Sequence, residues 1–486
     1  MREAVRKVGT YLLRLAAPHS VRATLLSGYD NLSGGIPPPH PTSKETTMRR
    51  TSLIALSALL LTVSSAAADD WPQWMGPQRD SVWRETGVIE KIPEDGLPVK
   101  WRAPVQWGYA GPAVAGGKVF VTDYVIESGE VANSPGGRTR TEGQERILCL
   151  DAETGEEIWT HAYDETYNLS YAGGPRVTPT VDGQHVYTLG AEGRLICLNV
   201  DDGAVVWEKN LKQEYNTDSP FWGYSAAPLI DGNRLFCIVG GEGSVAVAFD
   251  KHSGEELWRA LSAEEPGYCP PTMIDAGGTQ QLVIWDPEHI SGLDPATGDV
   301  HWSLDLRPNY KMSVTAPRQA GDHLFASGIG NVSAMLALGD DSPTAEVAWR
   351  GPGARSLYCS NSTPFIEDGV IYGNGCSRGE LQAIDAANGE TLWLTFDATT
   401  GNRPAPHATV FLVKHEDRFF LFNDQGDLIL AELSREGYNE LGRFHVLDPT
   451  NEGLGREVVW SHPAFANRCL YARNDKELVC VSLAAD

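Results

Sequence analysis

Leu148–Trp159 reads LCLDAETGEEIW, and the chain keeps returning to that phrase: CLNVDDGAVVW ending at Trp207, AFDKHSGEELW at Trp258, GLDPATGDVHW at Trp302 and AIDAANGETLW at Trp393. In each copy an Asp or Asn stands four residues before a Gly, and a Trp four residues after it. Alternating apolar residues such as Leu148 and Leu150 lead into the turn, and Ile158 and Trp159 leave it, which is the pattern of two β-strands joined by a tight turn. The acidic or amide side chain can bond back onto the turn backbone, and the Gly accepts a positive φ without steric cost.

Units of this kind cannot bury a sheet face alone, and the tryptophans recur 44 to 58 residues apart. Stacked β-rich repeats of that length predict a propeller, with each Trp as a spacer between neighbouring units. Outer strands are expected at Trp101, Trp159, Trp207, Trp258, Trp302, Trp349, Trp393 and a degenerate Leu441, which gives eight four-stranded antiparallel blades. Trp349 keeps Asp341 but has Ala345 in place of the Gly, and near Leu441 only Gly437 survives. Leu97–Val105 (LPVKWRAPV) reads as an outer strand standing alone, and Glu477–Leu483 (ELVCVSL) as an inner strand with nothing after it. The first strand would therefore complete the last blade and close the ring, leaving no sheet edge open between the ends.

Residues 1–47 carry no periodic pattern, and Met48 is expected to be the true start. From there Arg49-Arg50, the apolar run Leu53–Val63 and Ser64–Ala68 read as a signal peptide (residues 48–68) cleaved after Ala68. Residues 69–96 form a Trp- and Pro-rich lead-in expected to lie across one face or the rim, and residues 97–486 the propeller. Without the first 68 residues the chain holds 31 basic and 61 acidic residues, a charge near −30 that repels phosphate backbones and argues against nucleic acid. Export permits disulfides, and hairpins turning at Asn474-Asp475 and at Asp368-Gly369 would pair Cys469 with Cys480 and Cys359 with Cys376. Cys149 and Cys197 share one strand position and read as small core residues. No Cys/His spacing predicts a metal site. The Gly- and charge-rich stretch Tyr124–Arg146 is expected to be a flexible loop covering part of one face.

The DxxTGxxxW turn resembles the tryptophan-docking repeat of the pyrroloquinoline-quinone (PQQ) propellers, over Leu97 to Leu483. That superfamily includes eight-bladed quinoprotein alcohol dehydrogenases and the propeller subunit of the outer-membrane β-barrel assembly machine. The lead-in WPQWMGP and the closing VVWSHPAFANRCLYARNDKELVCVSL are most similar to secreted PQQ-like repeat proteins of planctomycete-type bacteria. The enzymatic branch implies PQQ held between a Trp and a disulfide of adjacent cysteines, with calcium on a Glu and an Asn and an Asp as base. This sequence has no Cys-Cys pair and no CxxCH; Asn361 and Glu264-Glu265 are the stand-ins for the calcium ligands. The scaffold branch implies a lipid-anchoring Cys, which is missing here, and no cofactor.

Ligands of propellers bind where loops enter the innermost strands, each marked by a Pro before a short hairpin: TPTVDGQHVY, APLIDGNRLF, STPFIEDGVIY and HPAFANRCLY. The segments just before them supply Trp107, Tyr109, Tyr171, Arg176, Trp222, Tyr224, Tyr268, Tyr358, Asn361, His407 and His462 as candidate channel-mouth residues. Such a ring suits a planar or sugar-like ligand, or a peptide laid across the face; its other reading is a plug for the channel. No GxSxG, HExxH or P-loop pattern occurs, and no carboxylate partner can be assigned to His407 or His462. The sequence thus predicts a periplasmic or secreted non-catalytic binding or scaffold protein, its partner an envelope protein, small molecule or glycan. The alternatives are a PQQ- and calcium-dependent dehydrogenase and a carbohydrate-binding or carbohydrate-acting propeller.

Overall fold

A computed structural model describes residues 69–485 apart from Asn331, Pro352, Ala354 and Arg355. The expected start at Met48, the signal peptide and its cleavage after Ala68 lie outside the described residues. Eight four-stranded antiparallel sheets form an eight-bladed propeller, with one additional two-stranded hairpin, Asn451–Gly453 with Arg456–Val458. Blade 1 runs through Ala113–Ala115, Lys118–Ser128, Thr139–Asp151 and Glu157–Leu169; blades 2 to 7 follow in the same order along the chain. Blade 8 takes its three inner strands from Ala464–Ala466, Cys469–Arg473 and Glu477–Ser482, and its outermost from Val99–Pro104, with Arg102 opposite Val479. The ring closes as its two ends imply.

The repeated turn is the joint between blades. Asp151 Oδ1 accepts from the Glu153 and Thr154 N–H groups, both at 2.9 Å, and those bonds hold its pKa below the usual carboxylate value. The Trp of one blade then lies on the Gly of the next blade's turn and donates its indole N–H to a carbonyl there. Trp101 reaches Ala152 O at 3.0 Å, Trp159 Val200 O at 3.0 Å, Trp207 Lys251 O at 2.9 Å and Trp258 Pro295 O at 3.1 Å. Trp349 repeats this over Gly389 with Ala386 O as acceptor, and Trp393 donates to Ser434 O with no Gly beneath its ring. Trp302 faces the turn whose Gly is replaced by Ala345, and its N–H turns back to Gln281 Oε1 of its own blade at 2.6 Å.

Register corrects the eighth position. Trp159 stands opposite Cys149, and the residue before it, Ile158, is squeezed out as a bulge and 45% exposed. In blade 7 the bulge falls at Leu441, and Gly442 stands opposite Leu430. The vacated Trp place is therefore at Gly442, not Leu441, and Ile92 of the lead-in packs there, 3.1 Å from where a Cβ would stand. The same register refines the cysteine pairing. Cys480 stands opposite Trp101 as Cys149 and Cys197 stand opposite their tryptophans. On its other side it is opposite Tyr471 while Cys469 is opposite Ser482, so Cys469 and Cys480 are diagonal neighbours whose thiols hydrogen-bond. All eight cysteines are buried free thiols, Cys359 and Cys376 among them.

Two other segments differ from expectation. Tyr124–Arg146 is mostly extended: the strands of blade 1 grow to 11, 13 and 13 residues, leaving only 129–138 between them. Cross-strand bonding and the stacked rings of Tyr124 and Tyr167, 4.1 Å apart, order what composition alone marks as a loop. The lead-in divides: residues 71–83 enter the channel, and the stretch on to Ile92 runs out to the outer strand of blade 7, at the expected rim. Trp71 bridges Val114, Pro72 O accepts from Val181, and the Arg79 guanidinium donates to Pro228 O at 2.8 Å. Arg318 in turn donates to Arg79 O and Asp80 O, and Trp83 N–H to Lys414 O. The segment so ties the innermost strands of blades 1, 2, 3, 5 and 7 together across the channel.

Candidate functional site

Above that crosspiece the channel holds a cavity of about 430 Å³. The residues preceding each innermost strand line its walls, because every blade delivers its chain to the axis at the same height. Trp74 of the lead-in forms the floor, edge-on to His462 at 5.8 Å and covered from behind by the Arg79 guanidinium at 5.3 Å. Two insertions reach the opposite end: the blade 1 tip places Pro135 in the wall, and the 451–458 hairpin places Leu454 there, followed by Trp460. They meet where Asn133 Nδ2 donates to Asn451 Oδ1 and to Glu452 O, the latter at 2.8 Å.

Eight of the expected residues line this cavity: Tyr109, Tyr171, Arg176, Trp222, Tyr268, Asn361, His407 and His462. Trp107, Tyr224 and Tyr358 do not. Trp107 is held in a bridge to Tyr124, Tyr224 is buried between blades with its hydroxyl on Val239 O at 2.9 Å, and the Tyr358 hydroxyl donates to Gly353 O at 2.6 Å. Sequence reasoning did not select Trp74, Tyr310, Met312 or Trp460. Trp460 directly precedes Ser461-His462, and Tyr310 and Met312 precede Thr315-Ala316-Pro317, so the Pro signal of the innermost strands marks their segments. Trp74 had no such signal.

The walls are aromatic and paired at angles. Trp222 stands edge-on to Tyr268 at 5.8 Å, and Tyr171 is tilted against Trp460 at 5.8 Å. Tyr171, Tyr310, His407 and Leu454 all line the cavity with φ between 50° and 60°, a left-handed conformation that costs non-glycine residues energy and concentrates at ligand sites. The Arg176 guanidinium donates to the carbonyls of Gly174, Tyr171 and Ser170 and lies over the Tyr109 ring at 5.2 Å.

No Asp or Glu occurs among the described residues of the lining. Burial lowers the pKa of His407, helped by the Arg456 charge, and drives that of His462 down to about 3 between Trp74 and Phe411. Both imidazoles are therefore neutral at pH 7, and neither has a carboxylate on its ring. Asp424 stands behind His407, committed to Arg456 at 2.6 Å and to the Thr409 N–H at 2.9 Å. The calcium stand-ins are not assembled: Asn361 lines the cavity and donates to Thr409 Oγ1, whereas Glu264 pairs with Lys311 at 2.6 Å and Glu265 accepts from the Tyr268 hydroxyl at 3.4 Å and lies 3.9 Å from the same lysine. No cluster of three or more His, Cys, Asp or Glu exists among the described residues. This donor set does not fit a calcium-bound quinone, which needs carboxylate oxygen beside the ring system.

Comparisons with known proteins point to the same fold. Residues 143–395 and 286–485 match the sequence signature of the family described as outer membrane protein assembly factor BamB. The protein of that name from Yersinia pestis is 22% identical over 52% of this chain and 64% of its own length. Quinoprotein alcohol dehydrogenase PedH of Pseudomonas putida is 24% identical over 51% of this chain and 44% of its own. The chain thus spans less than two thirds of the former and less than half of the latter. The crystal structure of quinohemoprotein alcohol dehydrogenase from Comamonas testosteroni superposes with a TM-score of 0.54 at 14% identity, over 86% of this chain and 81% of that one, a likeness of fold.

Proposed function

The chain belongs to the family of outer membrane protein assembly factor BamB, and from that premise we propose that it is an exported, non-catalytic propeller of the cell envelope. Its blind aromatic cavity and the surrounding face bind a small molecule, a glycan or a segment of an envelope protein. The single observation that carries the reading is the lining: seven aromatic rings, one guanidinium and two neutral histidines, with no carboxylate among the described residues to act as base, nucleophile or calcium ligand. Export rests on the Arg49-Arg50, apolar and Ala68 stretch, and no helix among the described residues is long and apolar enough to cross a membrane.

A titration with PQQ and calcium tests this, following tryptophan fluorescence and quinone absorbance. No saturation up to high micromolar PQQ is expected. Saturable binding below about 1 μM, equivalent to about 8 kcal/mol, would replace the reading with that of a quinoprotein dehydrogenase.

A further inference from the structure

Arg176 is the one lysine or arginine among the described residues that line the cavity. The other guanidiniums nearby are committed elsewhere. Arg79 backs the floor and donates to Ala227 O and Pro228 O, and Arg456 is paired with Asp424 behind His407. Arg176 donates only to neutral carbonyls, and the Tyr109 ring covers one of its faces. The buried carboxylate that feels its charge, Glu145, is already capped by the hydroxyls of Tyr163 and Tyr167 and by the Ala191 N–H at 3.0 Å. A cation set beside apolar walls with no anion on it is costly, and a bound anion offsets that cost.

Around this charge the largest surfaces of the cavity are ring faces and edges, with Thr178, Ser225, Thr315, Asn361 and Thr363 between them: Tyr171 and Trp460 stand on one side, Trp222 and Tyr268 on another, Trp74 below. Such walls select flat, ring-bearing molecules by burial and stacking. Resting on the binding reading above, we propose that the ligand is a planar, ring-bearing molecule carrying one anionic group, with Arg176 as the cation that receives that group. One cation suits one carboxylate-like group, which separates this class from neutral sugars and from polyanions.

The decisive comparison uses the unaltered protein and two probes of one shape, 2-naphthoate and its neutral amide 2-naphthamide, in isothermal titration calorimetry. The acid is expected to bind at least about 10-fold more tightly than the amide, with the preference shrinking as salt rises. Arg176→Gln should abolish the preference and Arg176→Lys keep part of it, while Trp222→Ala weakens both probes and leaves their ratio unchanged. Equal affinity for acid and amide in the unaltered protein would overturn the anionic class and leave the cavity standing as a binding site. Failure of both probes to bind would overturn the site itself. Should Arg176→Gln lose its fold by circular dichroism, the unaltered protein's acid-to-amide ratio decides alone.

Discussion

A methyl group placed on Gly254 would come within 2.8 Å of the Trp207 ring, on a backbone whose φ is 72°. Gly232 has a φ of 57° and nothing within 4 Å of the same position. The two glycines separate the cost of a left-handed backbone from the cost of the indole that lies on it. Gly232→Ala should destabilise by about 1 kcal/mol and Gly254→Ala by about 3 kcal/mol, read from urea midpoints. His462 makes a prediction of pH dependence. Its folded pKa of about 3 lies below the ordinary value of 6.5, so the unfolded chain binds the extra proton between those two values. The stability from keeping it neutral is complete above pH 6.5 and declines as pH falls toward 3. Between pH 7 and pH 5 the loss should be about 2 kcal/mol, and His462→Phe should remove that part of the slope.

Among the elements, the lead-in does the work of a ninth structural unit without being a blade. Trp83 is 2% exposed, against Phe420 at 5.6 Å, Phe465 at 5.3 Å and the His415 ring at 5.2 Å. Trp83→Ala should therefore cost about 3–5 kcal/mol, as a core truncation does, although Trp83 lies outside every repeat. Differential scanning calorimetry would show it as a lower transition temperature. The repeats were legible because each is a local phrase: Asp, Gly and Trp at fixed offsets specify a turn and the joint beyond it. The lead-in's path was not, since its partners, Val114, Pro228 and Lys414, are far off in sequence. Trp74 became a floor residue through those contacts and carries no local mark. Trp107, Tyr224 and Tyr358 failed as site residues for a related reason. The sequence located their loops at the axis, but whether a ring turns toward the channel or between blades is decided by neighbours such as Gly193, over which Tyr224 packs.

At the level of the whole molecule, the eight-bladed count held even though one blade carries no tryptophan on its outer strand, because Ile92 occupies the place left at Gly442. The closure is more exacting. Without Val99–Pro104 the Glu477–Ser482 strand becomes an open edge with apolar Leu478, Val479 and Val481 behind it. A chain beginning at Val105 should elute as oligomers in size-exclusion chromatography rather than as one species, since an unpaired inner strand is a template for another chain. The cavity was legible as a place, from the Pro-marked approaches to the axis, and illegible as a chemistry. Only the assembled ring reveals that, among the described residues, its lining holds no carboxylate and one guanidinium.

That closure also sets an order of events. Arg102 pairs with Val479, a separation of 377 residues, so the last contact to form joins the two most distant parts of the propeller. Blades 1 to 7 are each contiguous hairpins and can form as they emerge from synthesis or from an export channel, on the timescale of local strand pairing. The eighth cannot. Its outer strand is made first and must wait, unpaired, until the final strand arrives, and the loop-closure entropy of the entire chain is lost in that one step. The protein therefore stays an open arc for as long as any of its C-terminal end is missing. A truncated product would announce itself by an unsealed ring rather than pass as a smaller, finished one.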